Sequence, residues 1–151
     1  MFYRATESLA NDPPPSFYNT QERLSSRISD GRARLRVLVV DDEQLVAQTV
    51  AAILNANGFE AVEAFSGEEA METARRVRPD IVLSDVLMPR MSGVDLGMRL
   101  RQELPETRVV LFSGQAATTE LMRKAHDAGY TFELVPKPIH PEELVAKLKG
   151  L

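Results

Sequence analysis

The chain has 151 residues, of which 44% are hydrophobic, so one globular domain with a sizeable core is expected. It has no cysteine, which excludes disulfide bonds and thiolate metal sites. The net charge is −4; six arginines and four acids fall in residues 1–36, which leaves 12 basic and 18 acidic residues in 37–151. That acidic body argues against non-specific nucleic-acid binding. No apolar run approaches the roughly 18 residues that span a bilayer, and no signal-peptide layout opens the chain, so we expect a cytoplasmic protein without membrane association.

Residues 1–34 differ in composition from the rest of the chain. Three consecutive prolines at 13–15 exclude a helix interior or a central strand at that point. Residues 21–29 have apolar side chains one helical turn apart and could form a short helix. We therefore predict a tail or linker over 1–34 with at most one short helix, with plain disorder as the alternative, and a folded domain over 35–151.

From Leu35 onward, apolar strand patterns alternate with helical patterns five times. The predicted strands are residues 35–40, 59–65, 81–83, 109–112 and 130–135. The predicted helices are 45–54 with a cap at Gly58, a helix from the capping-box pair Ser66 and Glu69 to Pro79, a helix from Ser92 to Pro105, Thr118–Asp127 with a cap at Gly129, and a helix from Pro141 through Leu148.

Five strand–helix units predict an α/β fold in which helices cover both faces of a parallel five-stranded sheet. This is the doubly wound (βα)5 flavodoxin-like three-layer sandwich. The first, third and fourth strands are nearly continuous apolar runs, as expected of strands buried on both faces. The second and fifth strands alternate, which is typical of edges. We predict the order 2-1-3-4-5, with ligands at the carboxyl ends of the strands near the switch between strands one and three.

Polar residues follow the carboxyl ends of four predicted strands. Asp41 and Asp42 follow the first strand, Asp85 the third, Ser113 the fourth and Lys137 the fifth. Three carboxylates that lie close together repel, and a hard divalent cation such as Mg²⁺ removes that repulsion. A carboxylate beside such a cation can attack phosphorus, while an ammonium and a hydroxyl can hold phosphoryl oxygens. The pattern predicts a phosphoryl-accepting site.

Each of these residues also has a simpler interpretation when it is taken alone. Asp42 could cap the first helix, Ser113 could belong to a turn, and Lys137 could be a solvated loop lysine. Asp85 is harder to interpret in this way, because it directly continues a buried apolar run. The arrangement at four independent strand ends favours a functional site over the simpler interpretations.

Over about residues 35–150 the sequence resembles the response-regulator receiver family of two-component signalling. The matching stretches are Val39–Glu43, Asp80–Pro89, Gly93, Leu111–Gly114 and Pro136–Pro138. The resemblance implies that Asp85 is the phosphorylated residue, that Lys137 pairs with the phosphoryl group and that Ser113 is the switch hydroxyl. It also implies that the bond between Lys137 and Pro138 is cis.

The resemblance further implies a cofactor, Mg²⁺ or Mn²⁺ in its place. Its protein ligands would be the side chains of Asp42, Asp41 and Asp85 and the backbone carbonyl of Leu87. The protein would be a signalling phosphoacceptor and not an enzyme, except that it would catalyse its own phosphorylation and dephosphorylation. An apolar Leu87 beside the path of attacking water suggests slow autodephosphorylation.

The expected partners follow from the same resemblance. The phosphodonor would be a sensor histidine kinase or a histidine phosphotransfer protein. Phosphorylation would change the surface around the last two helices, 118–127 and 141–148, for an unknown downstream protein. Because the sequence ends at Leu151, just past the last helix, we expect a single-domain receiver without a DNA-binding domain, as a monomer or a weak homodimer.

One departure from the family pattern leaves alternatives open. The family usually has an aromatic switch residue three positions before the lysine, and here that residue is Leu134. A pseudo-receiver that keeps the fold without phosphorylation is one alternative, although no member of the acid cluster is lost. A phosphatase of the haloacid-dehalogenase type is another; it would need a second aspartate two residues after the nucleophile, where Asp41 is followed by Glu43 and Asp85 by Leu87. A fragment of a longer protein is the third.

Overall fold

A computed structural model of the chain describes residues 34–114 and 118–151. The predicted tail over 1–34, with its short helix, lies outside the described residues apart from Arg34. In the described part of the chain, no helix is long and apolar enough to cross a membrane.

Five strands alternate with five helices along the described residues. The strands are β1 (Arg36–Val40), β2 (Glu60–Ala64), β3 (Ile81–Asp85), β4 (Arg108–Ser113) and β5 (Glu133–Pro136). The helices are α1 (Gln44–Ala56), α2 (Gly67–Val77), α3 (Gly93–Glu103), α4 (Thr118–Asp127) and α5 (Pro141–Lys149). All paired strands are parallel, in the order β2-β1-β3-β4-β5. The predicted doubly wound fold and its strand order are confirmed.

The burial of the strands explains this order. β1 and β3 are buried along almost their whole length, because helices cover both faces of the sheet. One hydrophobic cluster joins the sheet to α2, α3 and α4, and a second joins it to α1 and α5. β2 lies at an edge, where buried residues alternate with exposed ones such as Val62.

The helix boundaries lie where the capping patterns predicted them. The Ser66 hydroxyl accepts a hydrogen bond from the backbone N–H of Glu69 at the start of α2. The Glu69 carboxylate reaches one residue further back than in a standard capping box and accepts from the N–H of Phe65. Gly58 and Gly129 both have φ of +90°, a conformation that glycine adopts without steric cost after a helix.

The predicted start of the fifth strand is wrong, because β5 begins at Glu133 and not at Tyr130. The residues in between are held by α3 instead of by a neighbouring strand. The Arg101 guanidinium donates to the carbonyl of Thr131 at 2.8 Å and lies over the ring of Phe132, 4.8 Å from its centroid. That ring fills the space beside Gly97, where a Cβ would lie 2.8 Å from it. Aromatic alternation at 130–132 therefore reflects packing on α3 and not strand pairing.

The start of α3 lies directly against the end of β3. The N–H of Gly93 donates to the carbonyl of Val86 at 2.8 Å. A Cβ on Gly93 would lie 2.0 Å from the backbone carbonyl oxygen of Asp85, so only glycine allows this approach. The side chain of Ser84 donates to the same Asp85 carbonyl at 2.9 Å. These contacts hold the strand end that carries Asp85.

We predict that Gly93→Ala destabilises the protein by about 2–3 kcal/mol, because the new methyl group meets backbone atoms that cannot rotate away. Urea denaturation measures the loss. Gly150→Ala is the matched control, since a Cβ there meets its nearest atom at 3.4 Å. Equal unfolding midpoints for the two variants would show that the close approach of α3 to β3 does not constrain the fold.

Candidate functional site

The sheet brings the predicted acids together at one edge. Val40 pairs with Ser84 on the neighbouring strand. Asp41, which follows β1, and Asp85, the last residue of β3, therefore lie side by side. One carboxylate oxygen from each of Asp41, Asp42 and Asp85 lies within 4.8 Å of the other two. Asp41 is buried, Asp42 is exposed and Asp85 is intermediate, so the cluster opens to solvent on one side.

Lys137 lies between two of these acids. Its ammonium is 3.1 Å from Oδ2 of Asp41 and 3.4 Å from Oδ1 of Asp85. It also lies 5.0 Å from the centroid of the Phe112 ring, within the range of a cation–π contact. The backbone N–H of Lys137 donates to the carbonyl of Ser113 at 3.1 Å, which ties the lysine to the end of β4. The peptide bond that follows Lys137 is cis, in agreement with the resemblance.

The turn after β1 explains the different positions of Asp41 and Asp42. Oδ1 of Asp41 accepts a hydrogen bond from the N–H of Glu43 at 3.0 Å, and this keeps the Asp41 carboxylate inside the turn. The N-cap of α1 is Glu43, which makes no side-chain capping bond. The interpretation of Asp42 as a helix cap is therefore wrong, and Asp42 stands exposed beside the two more buried acids.

Burial raises the pKa of Asp85 above its ordinary value. The ammonium of Lys137 works in the opposite direction, while the carboxylate of Asp41 adds to the rise in the pKa. A hydrogen bond from the N–H of Val86, 3.0 Å from Oδ1, also favours the ionised form but is a smaller effect. A single ammonium therefore does not offset the desolvation of Asp85 and the charge of its neighbour.

The acid cluster fits a hard divalent cation. Asp41, Asp42 and Asp85 offer oxygen atoms, which Mg²⁺ prefers, and ligands about 2.1 Å from the ion lie roughly 3–4 Å from one another. The observed span of up to 4.8 Å is close to that requirement. The raised pKa of Asp85 is the second observation that fits, since a cation would stabilise the ionised carboxylate. Leu87 follows β3 and is exposed, and a role for its carbonyl stays a prediction.

The hydroxyl of Ser113 is buried and has a partner on the next helix. Ser113 is 6% exposed, and its Oγ lies 2.5 Å from Oγ1 of Thr118, the first residue of α4, which is 4% exposed. Nothing in the sequence singles out Thr118, because a spacing of five residues from Ser113 matches no recognised motif. Leu134, at the usual aromatic switch position, lies on β5 and is 39% exposed.

Comparison with known proteins assigns the family. The model of the response regulator receiver domain matches residues 37–149, and the chain belongs to this family. It is 38% identical over 125 residues to the probable transcriptional regulatory protein TcrX of Mycobacterium tuberculosis, covering 83% of this chain and 52% of that protein. The solved structure of chemotaxis response regulator CheY4 of Vibrio cholerae is 28% identical, with a TM-score of 0.68 over 78% of this chain and 98% of that one. The chain is thus a response-regulator receiver domain of two-component signalling.

The expected set of partners needs correction. It excluded a DNA-binding domain because the sequence ends after α5. The DNA-binding response regulator MtrA of Mycolicibacterium smegmatis is 31% identical over 117 residues, covering 78% of this chain and 50% of that protein. The chain spans about half the length of the curated relatives it matches. The position of the last residue therefore gives no basis for excluding a DNA-binding domain, and the prediction is wrong.

The raised pKa of Asp85 gives a prediction for stability. The folded protein binds a proton at Asp85 more tightly than the unfolded chain does, so ionised Asp85 lowers the free energy of unfolding. This cost is absent below the unfolded pKa of about 4 and complete above the folded pKa. In metal-free buffer we therefore expect Asp85→Asn to be more stable than the wild type, by an amount that grows as the pH rises above about 4 and becomes constant above the folded pKa of Asp85.

Urea denaturation at several pH values measures this difference. Glu72→Gln, at an exposed position on α2, is the control for the same chemical change outside the acid cluster and should show no comparable gain. A gain for Asp85→Asn that shrinks as the pH rises would contradict the assignment of burial as the dominant cause.

Proposed function

We propose that this receiver domain accepts a phosphoryl group on Asp85 from the phosphohistidine of a histidine kinase, in a reaction that depends on Mg²⁺. The observation that carries the proposal is the meeting of Asp41, Asp42, Asp85 and Lys137 at one edge of the sheet. We further propose that the receiver domain runs over 35–151 and that 1–34 form a tail or linker, since β1, the first strand of the described residues, begins at Arg36.

The transfer requires a nucleophilic carboxylate. An oxygen of Asp85 forms a bond to phosphorus while the bond between phosphorus and the imidazole nitrogen of the donor breaks, and the electron pair of that bond stays on the imidazole. The product is an acyl phosphate on Asp85. Only the ionised carboxylate can attack, and the raised pKa of Asp85 disfavours that form. A bound cation would lower the pKa again and so favour the ionised, reactive carboxylate. When bound, Mg²⁺ would supply positive charge beside the phosphoryl oxygens.

The remaining residues hold the reactants. Asp41 and Asp42 would bind the cation, and Lys137 would move from Asp41 and Asp85 to the phosphoryl oxygens, to which an ammonium can donate up to three hydrogen bonds. Ser113 follows Phe112, which pairs with Asp85 in the sheet, so its hydroxyl lies one residue beyond the strand position facing the acceptor. Mn²⁺ has the same preference for oxygen ligands and could replace Mg²⁺.

Phosphorylation would then act as a switch. A hydrogen bond to a charged group contributes about 1.5–3 kcal/mol, whereas a shift from mostly inactive to mostly active needs about 5.5 kcal/mol of differential stabilisation. The Ser113 hydroxyl alone is therefore insufficient, and the contact with Lys137 and repacking of α4 would supply the rest. The surface formed by α4 and α5 would change for a downstream partner. Leu134 on β5 has no aromatic ring, so the rotamer change of an aromatic switch residue would have no counterpart at this position.

We predict that Asp85→Asn abolishes Mg²⁺-dependent labelling by acetyl phosphate, because the amide has no nucleophilic oxygen anion. Asp127→Asn, an exposed position at the end of α4, is the matched control and should be labelled like the wild type. Intact-mass spectrometry measures the phosphorylated fraction. Persistent labelling of Asp85→Asn would exclude Asp85 as the acceptor, and an unlabelled wild type would favour a pseudo-receiver. Turnover of phosphate esters would favour a phosphatase.

We predict that Asp42→Asn weakens Mg²⁺ binding by at least about 10-fold, because changing even a residue that only supports a metal ligand commonly costs about 10- to 100-fold in affinity. The reason is that Asp42 is the most exposed acid of the cluster and makes no capping bond at α1. The Mg²⁺ concentration that gives half-maximal labelling by acetyl phosphate measures the change. Glu63→Gln on β2 is a control at a strand position outside the cluster. An unchanged Mg²⁺ requirement for Asp42→Asn would remove Asp42 from the metal site.

A further inference from the structure

The hydrogen bond between Ser113 and Thr118 joins the end of β4 to the first residue of α4. Both residues are more than nine-tenths buried, so water does not compete strongly for either hydroxyl. Thr119, the next residue of α4, is exposed. Of these two consecutive threonines, Thr118 therefore contacts the Ser113 hydroxyl and Thr119 lies on the surface.

The number of hydrogens on each group determines which hydroxyl donates once a phosphoryl group is present. A hydroxyl has one hydrogen and two acceptor lone pairs, and phosphoryl oxygens of the dianion only accept. Ser113 must therefore use its single hydrogen for the phosphoryl group. Its contact with Thr118 can persist only if Thr118 donates its own hydrogen to Oγ of Ser113.

We propose that Thr118 is a positioning residue, whose hydroxyl donates to Ser113 and so orients the Ser113 hydrogen towards the phosphoryl group on Asp85. This proposal rests on the proposed function of the site. The hydrogen-bonded chain runs from Thr118 through Ser113 to the phosphoryl oxygen, and each bond in such a chain polarises the next. It also ties the chemistry at β3 to the first residue of α4, because Ser113 cannot reach the phosphoryl group without moving or reorienting with Thr118.

The backbone supports the same coupling. The carbonyl of Ser113 accepts from the N–H of Lys137, so the two groups expected to contact the phosphoryl oxygens share one strand end. A Cβ on Gly114 would lie 2.7 Å from the carbonyl oxygen of Lys137, which shows how closely the segments after β4 and β5 pack. These backbone contacts therefore restrict movement of Ser113 relative to Lys137. The hydrogen bond to Thr118 connects any movement of Ser113 to the start of α4.

Binding of beryllofluoride, a stable mimic of the phosphoryl group, tests the proposal in the full chain at saturating Mg²⁺. Thr118→Val keeps the shape of the side chain and removes the hydroxyl. We expect it to raise the half-saturating beryllofluoride concentration about 2- to 10-fold, the change that loss of one neutral hydrogen bond corresponds to. Thr118→Ser restores the hydroxyl and should bind like the wild type. Thr119→Val makes the same substitution at the exposed neighbour and should have no effect. NMR amide shifts report the titration.

A double-mutant cycle separates positioning from general destabilisation. In a Ser113→Ala background, Thr118→Val should cause no further loss, because there is no Ser113 hydroxyl left to orient. An equal loss in both backgrounds would overturn the proposal, and so would wild-type binding by Thr118→Val. If Thr118→Val does not fold, Thr118→Ala serves in the same cycle with the same expected results. A wild type that does not bind beryllofluoride would overturn the proposed function and this inference with it, whereas a normal wild type with an unaffected Thr118→Val overturns the inference alone.

Discussion

The ammonium of Lys137 lies between the carboxylates of Asp41 and Asp85, and the charge balance at this point governs the rest of the site. Burial and the neighbouring carboxylate raise the pKa of Asp85, and the lysine offsets only part of that effect. A group of acids that is incompletely neutralised by the protein favours the binding of a cation. Arrival of a phosphoryl group would then draw Lys137 away from Asp41 and Asp85 and turn the Ser113 hydrogen towards the phosphoryl oxygens, while Thr118 stays bound to Ser113. The same charge balance would therefore connect binding, chemistry and switching.

This charge balance depends on the order of the strands, and the order could be predicted from the sequence. Continuous apolar runs in β1 and β3 indicate burial on both faces, and the alternation in β2 indicates an edge. Once the strands are parallel and ordered, residues at their carboxyl ends must share one edge of the sheet. Asp41, Asp85 and Lys137 could therefore be placed near one another before any distance was known. Their distances and the net direction of the Asp85 pKa shift required the structure.

Other features could not be predicted, for identifiable physical reasons. The aromatic residues before β5 have the alternation of a strand, but the contacts of Arg101 with Thr131 and Phe132 divert that segment onto α3. Thr118 forms no sequence motif with Ser113, because the two hydroxyls meet only when α4 packs against the end of β4. The expectation about a DNA-binding domain failed for a different reason: it rested on the last residue of the sequence and not on any interaction within the fold.

Direct identification of the modified residue tests the central claim, which is that Asp85 and not its neighbours accepts the phosphoryl group. Borohydride reduces an aspartyl phosphate to homoserine, and peptide mass spectrometry then locates the homoserine after treatment of the full chain with acetyl phosphate and Mg²⁺. The predicted result is homoserine at Asp85 alone. Homoserine at Asp41, Asp42 or Asp80, with Asp85 unmodified, would contradict the claim that the carboxylate at the end of β3 is the acceptor.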